Sequence, residues 1–253
     1  MSTLSVIVIT LNEARHIEAC LESVAWADEI IIVDAESTDE TAAIARRFTD
    51  KVYIEKFRGY SGQKNFALVQ AGSEWVLWLD ADERVTPELA EEIRTTIAGT
   101  PAAAGYEMPR KAFFLGRWIR HCGWYPGHVL RLFRRDCGRF DDREVHETLI
   151  LNGARGRLRR DLEHYTDESI EHYFWKFNRY TTLAAEELAG RGRRAGMASI
   201  LFRPLHAFIK MYLLKRGFRD GLPGLILCLL SANYVAAKYA KLAERGAQTW
   251  KLS

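Results

Sequence analysis

The chain has 253 residues, 48% of them apolar and 27% charged, which is ample for a globular core and argues against disorder over most of its length. Net charge is only +3, but residues 1–150 hold 18 Lys and Arg against 24 Asp and Glu, whereas residues 151–253 hold 18 against 9. The basic half therefore points either to an anionic partner such as a phospholipid surface, lipid phosphate or nucleic acid, or to a solvated basic face.

The four cysteines (Cys20, Cys122, Cys137, Cys228) are far apart and form no C-x-x-C pair. That spacing argues against a zinc site or a disulfide framework and suits a reducing cytoplasm. No nucleic-acid-binding module is recognisable, so nucleic acid is not expected as a partner.

The first residues, MSTLSVIVITLNEARH, lack the basic start and small-residue cleavage site of a signal peptide. Ser5–Thr10 is a β-branched run fit for a strand buried on both faces. Ile17, Leu21 and Val24 then recur at helical spacing. Glu29–Val33 is a second buried strand and ends in Asp34, and Ser37 to Glu40 offer N-caps for a helix through Ile44 and Phe48. Lys51–Ile54 is a short third strand.

A glycine-rich turn at residues 59–62 leads to a helix expected over 63–70. Glu74–Leu79 is a fourth strand ending in Asp80-Ala81-Asp82-Glu83, and Thr86-Pro87 opens another helix. Strands alternating with helices in this way predict βαβ units and a mostly parallel, Rossmann-like sheet.

After Tyr106 the runs become short and mixed, as expected of some antiparallel strands, until a helix over 169–190 with Tyr173, Phe177, Tyr180 and Leu183 on one face. A basic linker, Arg191 to Arg194, precedes two or more apolar helices over 199–243, broken at 217–224. No uncharged apolar run reaches the roughly 18 residues of a membrane span. Leu222–Ala237 comes nearest but contains Pro223 and Asn233.

Acidic residues follow the second and fourth strands. In an open parallel sheet, ligands bind beyond the carboxyl ends of the strands, so Asp34, Asp80 and Asp82 are placed at the mouth of a site. Two hard carboxylate ligands suit Mg²⁺ or Mn²⁺, which also binds phosphate oxygens. Such a cation would stabilise a departing diphosphate.

The order SVIVITLNEARHIEACLESV, IIIVDAESTDET, GQKNFAL and WVLWLDADERV resembles family 2 glycosyltransferases over residues 4–90. The continuation HCGWYPGHVLRLFRR, REVHETL and LEHYTDESIEHYFWKFNRYT resembles the branch that builds bacterial lipopolysaccharide core with β-glucosyl residues. The resemblance implies an α/β fold of the GT-A (nucleotide-diphospho-sugar transferase) type with a C-terminal helical extension. The catalytic domain is then expected over 1–190 (nucleotide-sugar half 1–105, acceptor half 106–190) and the basic extension over 191–253.

It further implies an inverting hexosyltransferase that moves glucose from UDP-glucose to an inner-core or other lipid-linked glycan. By the same resemblance, Thr10, Asn12 and Glu13 border the nucleoside, and Asp34 contacts uracil or ribose. Many relatives carry two acids after the second strand where this chain has Asp34-Ala35. Lys64 and Asn65 lie near the nucleotide or sugar, Asp80 and Asp82 form the metal and diphosphate motif, and His164 adds a metal contact. Glu147, in REVHETL, is the expected base that takes the acceptor proton, with Glu144 and Asp141 as rivals.

Among other residues, Arg131 and Arg134 are candidates to pair with phosphate, because Arg makes bidentate contacts. Trp118, Trp124 and Tyr125 are candidates to stack on a sugar, although aromatic residues are more often core. A nucleotidyltransferase of the same fold is disfavoured, since Thr10 to Glu13 offers no glycine-rich basic loop for a triphosphate. A non-catalytic binding protein is disfavoured by the intact acidic pair. The basic, aromatic-bearing segment within residues 200–245 predicts either peripheral contact with the cytoplasmic face of a membrane or packing on the catalytic domain or in a homo-oligomer.

Overall fold

The computed structural model describes residues 2–141 and 148–246. The chain divides into two compact units, one formed by residues 1–111 and 127–164, the other by 112–126 and 165–253. These divisions fall elsewhere than residue 190, because the long helix after Ser169 groups with the C-terminal helices.

The first unit begins with β1 (Leu4–Thr10), α1 (Ile17–Glu22), β2 (Glu29–Asp34), α2 (Thr41–Ala45), β3 (Val52–Ile54), α3 (Gly59–Gln70) and β4 (Trp75–Asp80). β1 lies between β2 and β4, parallel to both, and β3 pairs parallel outside β2. This is the parallel sheet that the alternating pattern predicts.

Side chains alternate across that sheet with period two. Val6, Val8, Ile32, Leu77 and Leu79 share one core with Ile17 and Leu21 of α1. Ile7, Ile31, Val33 and Val76 share the other with Ala67 of α3. Two buried faces explain why these strands read as continuous apolar runs.

Next come β5 (Glu83–Val85), α4 (Pro87–Ala98) and β6 (Gly105–Phe114). Thr86 caps α4 by accepting the Leu89 N–H at 3.2 Å, and Pro87 occupies the first turn. β5 was not expected, since three residues after an acidic turn carry no strand signal of their own. β7 (Arg117–Trp118), β8 (Gly127–Arg134), β9 (Gly138–Phe140), β10 (Leu149–Leu151), β11 (Arg155–Arg157) and β12 (Leu162–Asp167) complete the β-structure. The strand order of the large sheet is β3-β2-β1-β4-β8-β6-β12-β5, and β9 and β10 form a separate antiparallel pair.

The second unit is mainly helical: α5 (Ile170–Gly190), α6 (Met197–Ile209) continuing as a π-helical turn over Lys210–Leu214, a short 3₁₀ turn at Gly217–Asp220, and α7 (Gly221–Gly246). Ser169 caps α5 through the His172 N–H at 3.1 Å. Tyr173 and Phe177 face α7, the Tyr173 hydroxyl donating to the Leu230 carbonyl at 3.1 Å.

The helix break falls at 215–220 rather than 217–224, because Pro223 sits in the first turn of α7, where its missing N–H costs nothing. Continuous helix also alters the expectation about spans. Met197–Leu214 and Gly217–Gly246 are each long and apolar enough to cross a membrane by length and composition alone. Interior charges such as Lys210 had broken the uncharged run.

Candidate functional site

The register of the parallel strands sets Thr10 level with Asp34, and Asp80 one residue back from them. Thr10 pairs with Asp34 across β1 and β2, and Ile9 pairs with Asp80 across β1 and β4. Asp34 is buried and fully engaged. It accepts from the Thr10 hydroxyl at 2.7 Å, from the Ser37 N–H at 2.8 Å and from the Ser37 hydroxyl at 2.6 Å. Asn12 has φ 56° and uses its amide oxygen to accept the Thr38 N–H at 2.8 Å. The Glu13 N–H donates to the Thr41 hydroxyl at 2.7 Å. Thr10, Asn12, Glu13 and Asp34 thus form one hydrogen-bonded rim that ties the end of β1 to the loop after β2.

Alternation along β4 places Asp80 on the same face as Val76 and Trp78, the side that α3 covers. There Lys64 lies buried, its ammonium 3.8 Å from the Asp80 carboxylate and 3.9 Å above the Trp78 ring. Arg131 of β8 is buried too. Its Nη2 donates to Asp80 Oδ2 at 2.7 Å and to Glu83 Oε1 at 2.6 Å, with the guanidinium 3.5 Å from the Trp78 ring centre. Arg131 was expected to reach a phosphate, yet two carboxylates already hold it. Arg134 pairs instead with Glu74 at 3.0 Å.

Glu83 is the member of this cluster that sequence reading missed. It is fully buried, and its Oε2 accepts the Asp80 N–H at 3.1 Å. Only the pairing of β5 with β12 reveals its place, and that pairing sets His164 opposite Glu83. In consequence His164 Nε2 lies 3.3 Å from Asp82 Oδ2. The expected Asp80, Asp82 and His164 are brought together.

The electrostatics follow from three carboxylates gathered around two cations. Burial alone would raise the Asp80 carboxyl, but Arg131, then Lys64 and His164, hold it well below the usual carboxylate range. Glu83 is pushed up by burial and by its acidic neighbours, against the pull of Arg131. Burial would lower the His164 imidazole, yet its hydrogen bond to Asp82 and the charges of Asp82 and Glu83 raise it. Burial, reinforced by Glu83, Asp82 and Asp80, also pushes the Cys20 thiol far up, which makes it an inert neighbour.

Among the described residues, no group of three or more His, Cys, Asp or Glu side chains is arranged to hold a metal ion. Asp82 and His164 are nevertheless close enough to serve one cation together.

Asn65 does not face this cluster as a free amide. Its Nδ2 donates to the Phe140 carbonyl and its Oδ1 accepts the Phe140 N–H, both at 3.0 Å. Phe140 in turn packs edge-on against Trp78, with ring centroids 5.4 Å apart. The β9–β10 pair is therefore anchored beside the Lys64–Asp80 contact. Beyond Phe140, the Asp141 N–H donates to the Thr148 carbonyl at 3.1 Å and Asp141 Oδ1 accepts the Thr148 N–H at 3.0 Å. Glu144 and Glu147, bracketed in sequence by that pair, lie outside the described residues.

In the helical unit, Trp118 and Tyr125 pack edge-on at 5.2 Å while Trp124 packs against Phe114. Trp124 is accordingly half-buried against the core of that unit.

A parallel α/β sheet with acidic residues at the ends of β2 and β4, on either side of β1, belongs to the class of folds that bind ligands beyond the carboxyl ends of their strands. The match to known proteins makes the class specific. The family model "Glycosyl transferase family 2" matches residues 5–151, and the chain belongs to that family of glycosyltransferases. The lipopolysaccharide core biosynthesis glycosyltransferase LpsC of Rhizobium meliloti (strain 1021) is 34% identical over 96% of this chain and 93% of its own length. An uncharacterized glycosyltransferase of Rickettsia felis is 29% identical over 96% of this chain and 90% of its own length. Among solved structures, TarS residues 1–349 of S. aureus superposes with a TM-score of 0.49 at 18% identity, covering 98% of this chain and 92% of that one.

The protein is thus a glycosyltransferase, and the nucleotidyltransferase and non-catalytic alternatives fall away. The family model ends at residue 151, whereas the similarity to LpsC extends over nearly the whole chain, C-terminal helices included.

Proposed function

We propose that this glycosyltransferase moves a hexose, glucose from UDP-glucose, to a lipopolysaccharide inner-core sugar or another lipid-linked glycan, with inversion at the anomeric carbon, at the cytoplasmic face of a membrane. The observation that carries the reading is the convergence of Asp80, Asp82 and His164 where β4 ends. The similarity to LpsC supports the acceptor class.

The residues fit a divalent cation. Asp82 and His164 offer an oxygen and a nitrogen donor 3.3 Å apart, inside a cluster whose negative charge raises the proton affinity of the imidazole and would equally favour a bound cation. Mg²⁺ or Mn²⁺ held there would neutralise charge on the departing diphosphate. Asp80, oriented by Arg131 and Lys64, would face the nucleotide, and the Thr10–Asp34 rim with Asn12 and Glu13 would border the nucleoside. Lys64 supplies buried positive charge close to the diphosphate position. Asn65 acts through Phe140, holding the strand β9.

Glu147 accepts the proton of the acceptor hydroxyl. The hydroxyl oxygen attacks the anomeric carbon from the face opposite the leaving group, the carbon–oxygen bond to diphosphate breaks, and UDP departs with the bonding electrons. One displacement suffices, so no covalent sugar–enzyme intermediate forms.

Turnover of UDP-glucose with and without Mn²⁺ or Mg²⁺ tests the donor and metal. Glu147→Gln should leave UDP binding intact while lowering turnover about a hundredfold or more. Near-normal turnover would transfer the role to Glu144 or Asp141.

A further inference from the structure

From Leu188 to Arg219 the chain contains no Asp or Glu, while Arg and Lys supply eight positive charges. All eight side chains are exposed. Among the described residues only Arg191 meets a carboxylate, that of Glu187. The same stretch carries apolar side chains that nothing covers: Met197, Leu201, Phe202, Leu205, Leu213 and Leu214 are each more than half exposed. Met197, Leu201 and Leu205 follow at intervals of four, so they stack along one side of α6. Exposed aliphatic surface of this extent marks an interaction site.

We infer that α6 and the turn after it form a docking surface for an anionic lipid bilayer, lying flat in the headgroup layer with its leucines and Phe202 directed into the acyl region. The charge pattern selects this occupant. A second copy of the chain, joined by a two-fold axis, would set one acid-free cationic surface against another. A nucleic acid would satisfy the cations and leave the leucines in water. A bilayer rich in anionic headgroups meets both demands. A spanning helix would instead place Arg203 and Lys210 in hydrocarbon, where each is costly. Docking of this kind would bring the enzyme to lipid-borne acceptors whichever sugar it transfers.

The test is co-sedimentation of the full chain with vesicles of phosphatidylcholine alone or mixed with phosphatidylglycerol. Binding to the anionic vesicles only, weakened by added salt, is expected. Replacing Lys210, Lys215, Arg216 and Arg219 together by Gln should weaken that binding about tenfold or more. Leu201→Ser with Phe202→Ser should also weaken it, with the melting temperature of each variant measured to show that it still folds.

Equal binding to neutral vesicles, or parental binding by either folded variant, overturns the inference. So does resistance of the cellular protein to alkaline carbonate extraction, which would mean a spanning helix. A vesicle-free dimer that the Leu201/Phe202 variant dissociates would mean that a second copy covers the face, and overturns it as well.

Discussion

The two units treat charge in opposite ways. In the sheet unit, Arg131, Lys64 and Glu83 are buried and each is spoken for within 4 Å: two carboxylates and an indole ring hold the guanidinium. In the helical unit, the eight cations between Leu188 and Arg219 stand exposed beside uncovered leucines, and among the described residues only Arg191 meets a carboxylate. Buried charges must be paired because removing them from water is expensive, and a satisfied cluster is rigid. Exposed, unpaired charges contribute little to folding and are available to a partner. The first arrangement fixes a geometry; the second leaves charge available to a partner.

That contrast can be broken by measurement. The largest effect should come from Arg131→Met, which strips the partner from buried Glu83. We expect a loss of about 3–5 kcal/mol in chemical denaturation. A loss below about 1 kcal/mol would mean that the cluster is not the rigid element described here.

A smaller effect concerns pH. His164 titrates higher in the folded protein than the ordinary imidazole value of 6.5. The stability that its protonated form lends is therefore fully present below that ordinary value and lost as pH rises through the elevated one. Melting curves of metal-free protein should fall over that window, and His164→Gln should flatten this limb. A parental curve identical to that of the variant would count against the Asp82–His164 contact.

The smallest effect is expected in the other unit. Lys210→Gln with Arg219→Gln should change folding stability by no more than about 0.5 kcal/mol, because both side chains are exposed and unpaired. A larger loss would show that these cations serve the fold.

Much of the sheet unit is legible in the chain. The runs around Ile7, Ile31 and Leu77 are apolar because both faces of a parallel sheet are covered, and that pattern predicts strands, their parallel direction and the strand-end acids. The Thr86-Pro87 and Ser169 caps mark their helices for equally local reasons. Glu83 and β5 were not legible, because their partners are some eighty residues away on β12. Nor was the capture of Arg131 by carboxylates, since sequence spacing gives the type of a side chain but not which neighbour reaches it first.

Taken by itself, the sequence determined the parallel α/β framework, the family, the acids at the ends of β2 and β4, and the basic character of the last third. The framework, the acids and the basic character rest on periodicity and residue type, which are local properties, and the family rests on the resemblance of its motifs. Tertiary structure alone decided that β12 brings His164 to Asp82, that Asn65 holds Phe140 instead of presenting a free amide, and that the leucines of α6 stay uncovered. Each of those outcomes depends on which distant segments pack together, and no local pattern encodes that.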